Sequence, residues 1–223
     1  MNDLAALMCP EHPSELLSFC RCCRSEMLAG GNPEDMAERK SRLRAHECDG
    51  LFPPRFRNAH PEHPEILEWV RDFDGPDKPT ESLLIAGPVG SGKTHQGYGA
   101  LRAAVTGPCS TDFVATTAAD LYAEVRHNAG GEAALRRYRN AGILLIDDLG
   151  AAKTSEWVEE ITYRVLSDRY DHMRPIIATT NLPLGQLRDV LGARITSRLS
   201  QICRHVVLTG PDRRRLPTTG DHQ

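Results

Sequence analysis

Residues 87–94 read Gly-Pro-Val-Gly-Ser-Gly-Lys-Thr. Gly87, Pro88, Val89, Gly90, Ser91, Gly92, Lys93 and Thr94 therefore form a complete G-x-x-x-x-G-K-[ST] loop. A loop of this kind has meaning only between a buried strand and the start of a helix. The flanks fit: Ser82-Leu83-Leu84-Ile85-Ala86 is an apolar run of strand length, and the segment after Thr94 has helical character. In that setting the glycines let backbone N–H groups curl around phosphate oxygens, and the helix N-terminus adds a favourable dipole. Lys93 is then expected to reach the β- and γ-phosphates of a nucleotide, and the Thr94 hydroxyl to ligate Mg²⁺.

The rest of the chain alternates short aliphatic runs with helical stretches. Strands are predicted at 82–87, 111–116, 143–148, 175–180 and 204–209. Helices are predicted at about 94–106, 118–127, 132–140, 155–172, 184–191 and 193–201. This alternation predicts an α/β fold with a parallel five-stranded sheet flanked by helices on both faces. Aromatic residues make up only 5% of the chain, so the core is expected to be aliphatic.

Three further elements surround the loop in sequence. Ile143-Leu144-Leu145-Ile146 would bury a strand, and Asp147-Asp148 would emerge at its C-terminal end. Ligands of parallel α/β sheets sit at that end. Asp147 is expected to hold Mg²⁺, directly or through water, and Asp148 to polarise the water that attacks a γ-phosphate. Ile176-Ile177-Ala178-Thr179-Thr180-Asn181 is a second aliphatic strand ending in an amide that can orient that water. Arg194 and Arg198 lie four residues apart, on one face of a predicted helix, and such a face can offer a guanidinium to a neighbouring subunit's γ-phosphate. From Asp212-Arg213-Arg214-Arg215, after the last strand, one arginine can reach back to the nucleotide of its own chain.

The first 48 residues hold Cys9, Cys20, Cys22, Cys23 and Cys48, whereas only Cys109 and Cys203 follow. Cys9-Pro-Glu-His12 and Cys20-Arg-Cys-Cys23 are two knuckles separated by seven residues. Together they supply a four-ligand set of the kind that tetrahedral Zn²⁺ takes, and a metal can close a segment too small to build its own core. Cys9, His12, Cys20 and Cys23 are the expected zinc ligands. Cys22 can replace Cys20 or Cys23, and His46 with Cys48 is a second source. This divides the chain into a cysteine-rich, zinc-binding module at 1–50, a nucleotide-binding domain at 51–215 and a disordered tail at 216–223. A helix is also expected from Pro33 to His46, carrying Arg39, Lys40, Arg42 and Arg44.

A net charge of −3 is no global signature of nucleic-acid binding, so any such contact has to be local. The candidate is Arg136, Arg137 and Arg139 around Tyr138, where basic and aromatic residues interleave. Ordinary packing of Leu135 and Tyr138 against the sheet is the favoured reading of this segment. No apolar run approaches the ~18 residues of a membrane span, and the N-terminus lacks a basic leader. A cytoplasmic protein is expected.

The order of these elements resembles the DnaC/IstB-like group of AAA+ ATPases. Gly87–Thr94, Ile143–Gly150, Ala178–Asn181, Gly192–Leu199 and Asp212–Arg214 carry the likeness, and Phe52-Pro-Pro-Arg-Phe56 looks like the family's lead-in. The resemblance spans about 52–215. It implies that Lys93 and Thr94 are Walker A, Asp147 and Asp148 Walker B, and Asn181 sensor 1. It makes Arg198 the arginine finger acting in trans, with Arg194 as second choice, and Arg214 the sensor 2 residue. Asp148 stands where many AAA+ proteins have Glu, which implies slow hydrolysis suited to a switch. Two jobs dominate the group. Loaders deliver a DnaB-type replicative helicase to single-stranded DNA, and transposition helpers of the IstB type assemble on duplex DNA and recruit a transposase. The cysteine-rich N-terminus favours the loader. The expected partners are thus the helicase, single-stranded DNA and further copies of the chain, with ATP, Mg²⁺ and structural Zn²⁺ as cofactors.

Overall fold

Five strands form one sheet: β1 (Ser82–Ala86), β2 (Phe113–Thr117), β3 (Ile143–Asp147), β4 (Ile176–Thr180) and β5 (Cys203–Val207). Their order is β2-β3-β4-β1-β5, and every neighbouring pair is parallel. The computed structural model describes residues 50–73, 81–107, 111–127, 131–152, 155–210 and 212. The expected module at 1–50, with Cys9, His12, Cys20 and Cys23, lies outside the described residues except for its last position. So do Arg214 and the tail at 216–223.

The seven α-helices among the described residues are α1 (Pro64–Asp72), α2 (Lys93–Thr106), α3 (Ala118–His127), α4 (Gly131–Asn140), α5 (Glu156–Asp171), α6 (Leu187–Leu191) and α7 (Ala193–Ile202). The central strands β1, β3 and β4 are buried at every position, whereas the edge strands β2 and β5 are largely half-buried. Alternate residues of a strand point to opposite faces, and the packing follows that period. Leu144 and Ile146 join Leu121, Leu135, Ile161, Val165, Ile195 and Leu199 beneath α3–α7. Ile143 and Leu145 join Ile66, Trp69, Leu101 and Val105 beneath α1 and α2.

Some expectations need correction. The sheet interior is aliphatic as expected, but the flanking elements add buried aromatics on both faces, with Tyr122 and Tyr138 on the α3–α7 side. Phe52, Phe73, Trp69 and Tyr98 gather on the α1–α2 face, where Trp69 also donates its indole N–H to the Glu81 carbonyl. Helix α1 was not anticipated. Its signals are Pro64 at the first helical position and the buried pair Ile66 and Trp69 three residues apart. The helix expected over 184–191 is a 3₁₀ turn at Leu184–Gln186 followed by the short α6. Helix α5 begins after Ser155, whose side chain accepts from the Val158 N–H and caps the first turn.

One buried cation ties α4, β3, β4 and α5 together at the N-terminal edge of the sheet. Arg169 is fully buried and donates to the carbonyl oxygens of Tyr138, Arg139, Ala141, Gly142 and Pro175 at 2.6–3.3 Å. Burial pulls its guanidinium down to about 9, with the nearby Arg174 charge adding to the shift. Two of these acceptors, Tyr138 and Arg139, lie in the last turn of α4, whose free carbonyls a cation satisfies.

Candidate nucleotide-binding site

The loop 87–94 connects β1 to α2 as expected, and the helix begins at Lys93. Gly92, its N-cap, has φ of 92°, a left-handed conformation that glycine adopts without strain. Lys93 is buried, and its ammonium donates to the Pro88 carbonyl at 2.7 Å, so its charge lies across the mouth of the loop.

The Thr94 hydroxyl donates to both oxygens of Asp147 at 3.1 Å, joining the end of the loop to the end of β3. Thr179 on β4 completes this arrangement. Its hydroxyl donates to Asp147 Oδ1 at 2.5 Å and accepts the Asp148 backbone N–H at 3.0 Å. Asp148 has φ of 55°, a left-handed conformation that aspartate tolerates better than most residues. Its carboxylate accepts from the Asn181 amide at 2.9 Å. Asp147, Asp148, Asn181 and Thr94 are thus brought together. Thr179 was missed as a participant, although it lies inside the Ala178–Asn181 motif.

Burial pushes the Asp147 carboxyl above its ordinary range, and the negative charge of Asp148 adds to this. The hydroxyls of Thr179 and Thr94 oppose the shift. Two carboxylates and a hydroxyl converging on a phosphate loop form the hard oxygen set that Mg²⁺ accepts, and a divalent cation would offset the charge crowding. Thr94 and Asp147 are the residues placed to hold it.

These residues line a cleft of about 700 Å³ together with Val89, Gly90, Gly92, His95, Arg55, Phe56 and Glu62. Arg55 and Phe56 come from the lead-in segment, and Glu62 from the stretch between it and α1. That stretch is fixed to α2 by Gln96, whose side-chain oxygen accepts the N–H groups of Glu62 and His63 at 2.8 and 3.2 Å. Phe56 stacks on Tyr98 with ring centroids 4.4 Å apart. Gly99 makes this approach possible: a Cβ there would stand 2.5 Å from the His60 carbonyl carbon. On the other side, the Asp212 carboxylate packs against Gly90, so a Cβ at Gly90 would collide with it.

Arg198 lies elsewhere. With Arg194 it lines a separate groove of about 640 Å³ that also includes Tyr163, Tyr170, Asp171 and Ser197. No residue lines both this groove and the nucleotide cleft. The aromatic–basic candidate on α4 does not present its tyrosine for stacking. Tyr138 is fully buried and bonded to Glu124, Arg137 pairs with Glu124, and Arg139 pairs with Asp168. Of the three arginines, Arg136 is exposed without such a pair among the described residues, and Arg137 is paired but still exposed. Packing against the sheet has claimed the tyrosine. Among the described residues no cluster of His, Cys, Asp or Glu could hold a metal through three ligands, and no helix is long and apolar enough to cross a membrane.

Comparison with known proteins places this geometry. The family described as IstB-like ATP binding protein matches residues 62–217. The ATP-binding protein of insertion sequence IS5376 from Geobacillus stearothermophilus is 29% identical over 133 residues, covering 57% of this chain and 52% of that protein. The replicative helicase loader DnaC of Escherichia coli K12 is 26% identical over 140 residues, covering 59% of this chain and 54% of its own. The chain spans about half the length of these curated relatives. The crystal structure of the DnaC helicase loader superposes with a TM-score of 0.61 at 23% identity, covering 70% of this chain and all of that one.

Proposed function

The chain belongs to the IstB-like ATP-binding protein family and carries an AAA+ P-loop ATPase core, and on that premise we propose that it loads a DnaB-type replicative helicase onto single-stranded DNA at the expense of ATP. The observation that carries the ATP-driven part is the linkage of Thr94, Asp147, Thr179, Asp148 and Asn181 around the cleft above the phosphate loop. The loader assignment rests on the likeness to a replicative helicase loader and on the cysteine-rich N-terminal segment.

Within this reading, Gly87 to Thr94 wrap the phosphates, and Lys93 leaves the Pro88 carbonyl to neutralise the β- and γ-oxygens. Bound Mg²⁺, held by Thr94 and Asp147, supplies charge stabilisation at the transferring phosphoryl group. Asp148, positioned by the Asn181 amide and by its own N–H bond to Thr179, orients the attacking water and takes its proton. Arg198 of a neighbouring copy completes the site in trans, and Arg214, two residues past Asp212, reaches the nucleotide in cis. The assembled, ATP-bound state grips helicase and single strand, and hydrolysis releases them in the cytoplasm. The segment 1–50 binds the helicase, with Zn²⁺ on Cys9, His12, Cys20 and Cys23. Elemental analysis of the full chain tests the zinc site: about one zinc per chain is expected, lost when Cys9 and Cys23 are replaced by Ser, and a metal-free folded chain overturns it.

The likeness to an insertion-sequence ATP-binding protein favours a second reading, a transposition helper that binds duplex DNA and recruits a transposase. A pull-down with the replicative helicase, with and without ATP, separates the two. The loader reading expects a complex that requires residues 1–50. No complex, together with ATP-dependent assembly on duplex DNA, supports the helper.

A further inference from the structure

The geometry points to Tyr163 and Tyr170 as positioning residues that hold the Arg198 guanidinium ready for a neighbouring copy's phosphate. The inference rests on the reading that Arg198 acts in trans. The two tyrosines are seven residues apart on α5, and the Arg198 guanidinium carbon lies between them, 5.3 Å from the Tyr163 ring centroid and 4.7 Å from that of Tyr170. Both distances are within the ~6 Å reach of a cation–π contact. Arg198 Nη2 also donates to the Tyr163 hydroxyl at 3.2 Å. The remaining polar contact is Nη1 to the Asp171 carboxylate at 3.7 Å, long for an ion pair and with an Asp171 side chain that is 59% exposed.

These contacts differ in kind. The rings hold the body of the guanidinium and the Tyr163 hydroxyl takes a hydrogen of Nη2, which leaves the weakly held Nη1 edge for contact with phosphate. Asp171 occupies that edge only loosely, in high dielectric, where such pairs contribute little. An incoming phosphate can therefore replace Asp171 while the tyrosines stay in place. An arginine engaging phosphate normally gives up much side-chain freedom, and here the clamp has already removed it. Exposed Arg194, one turn earlier in the same groove, has no comparable clamp among its described contacts.

Mixed assemblies of full-length chains test this. Lys93→Ala chains cannot use their own site but donate Arg198, and Arg198→Ala chains keep an intact site but donate no arginine. Their mixture should hydrolyse ATP where neither does alone. With Tyr163→Leu and Tyr170→Leu added to the Lys93→Ala donors, kcat of the mixture should fall about tenfold while KM for ATP holds. Tyr163→Phe, which keeps the ring and loses only the hydroxyl, should give a smaller loss and guards against misfolding of the double variant. An unchanged kcat, or a loss from Tyr163→Phe as large as that from the double leucine variant, overturns the clamp. Failure of the unmodified pair to complement instead removes the shared site on which the clamp depends.

Discussion

Asp147 carries more of the proposed chemistry than any other side chain, and it is held in a costly state. Its carboxylate is buried, lies beside a second carboxylate, and is kept in place by two threonine hydroxyls. Thr179 is the more informative of the two, because the same hydroxyl also fixes the Asp148 backbone. Thr179→Val keeps the shape but leaves Asp147 short of a donor and the Asp148 N–H without its acceptor. Each loss costs about 1–3 kcal/mol where the group stays buried. Steady-state hydrolysis and nucleotide titration should therefore show kcat lowered by about tenfold or more, with a smaller change in ATP affinity. Equal effects on both would mean that Thr179 only supports the fold. The signature motifs were legible residue by residue because each needs a particular side chain at fixed spacing. Thr179 was not singled out because a threonine in a buried strand is ordinary, and its role appears only when β3 and β4 lie side by side.

At the scale of elements, two charged groups on α5 fasten α4 to the sheet, and each makes a separate prediction. Arg169→Met removes the donor for five carbonyl oxygens. Leaving such a buried network open should cost about 3–5 kcal/mol, seen as a lower denaturation midpoint with little change in slope. A loss below about 1 kcal/mol would mean that water replaces the guanidinium. Asp168 contacts Arg139, His172 and Arg174. Burial alone would raise its carboxyl, but the hydrogen bond and charge of Arg139, with the charges of His172 and Arg174, hold it below the usual carboxylate range. A lowered folded-state value means that the contribution is complete above the unfolded aspartate value of about 3.9 and is lost as pH falls through the lowered one. Wild-type protein should therefore lose stability on acidification below about pH 4, and Asp168→Asn should flatten that limb by about 1 kcal/mol. An identical pH profile would dismiss the pair. The strands and long helices were legible because their periodicity is strong. Helix α1 was not, because its nine residues carry only two fully buried side chains. The split at Leu184–Gln186 was equally hidden, since a 3₁₀ turn and an α-helix share much of their pattern.

At the scale of the whole molecule, the nucleotide cleft and the Arg198 groove share no lining residue, a separation that the proposed action of Arg198 in trans requires. The sheet order β2-β3-β4-β1-β5 puts Asp148 and Asn181 beside the phosphate loop by setting β4 between β3 and β1. Sequence alone foresaw five parallel strands but not that order, because pairing between distant segments leaves no local trace. Of the two readings of the α4 segment, packing holds for its aromatic residue: the fold turns Tyr138 into the core and supplies Glu124 and Asp168 to its arginine neighbours. What most directly tests the account is delivery of the replicative helicase onto circular single-stranded DNA, scored as bound helicase with ATP, without ATP, and with the Lys93→Ala chain. The account predicts ATP-dependent loading by the wild-type chain and none by Lys93→Ala. Loading that ignores ATP, or a helicase left in solution while the chain assembles on duplex DNA, would contradict it.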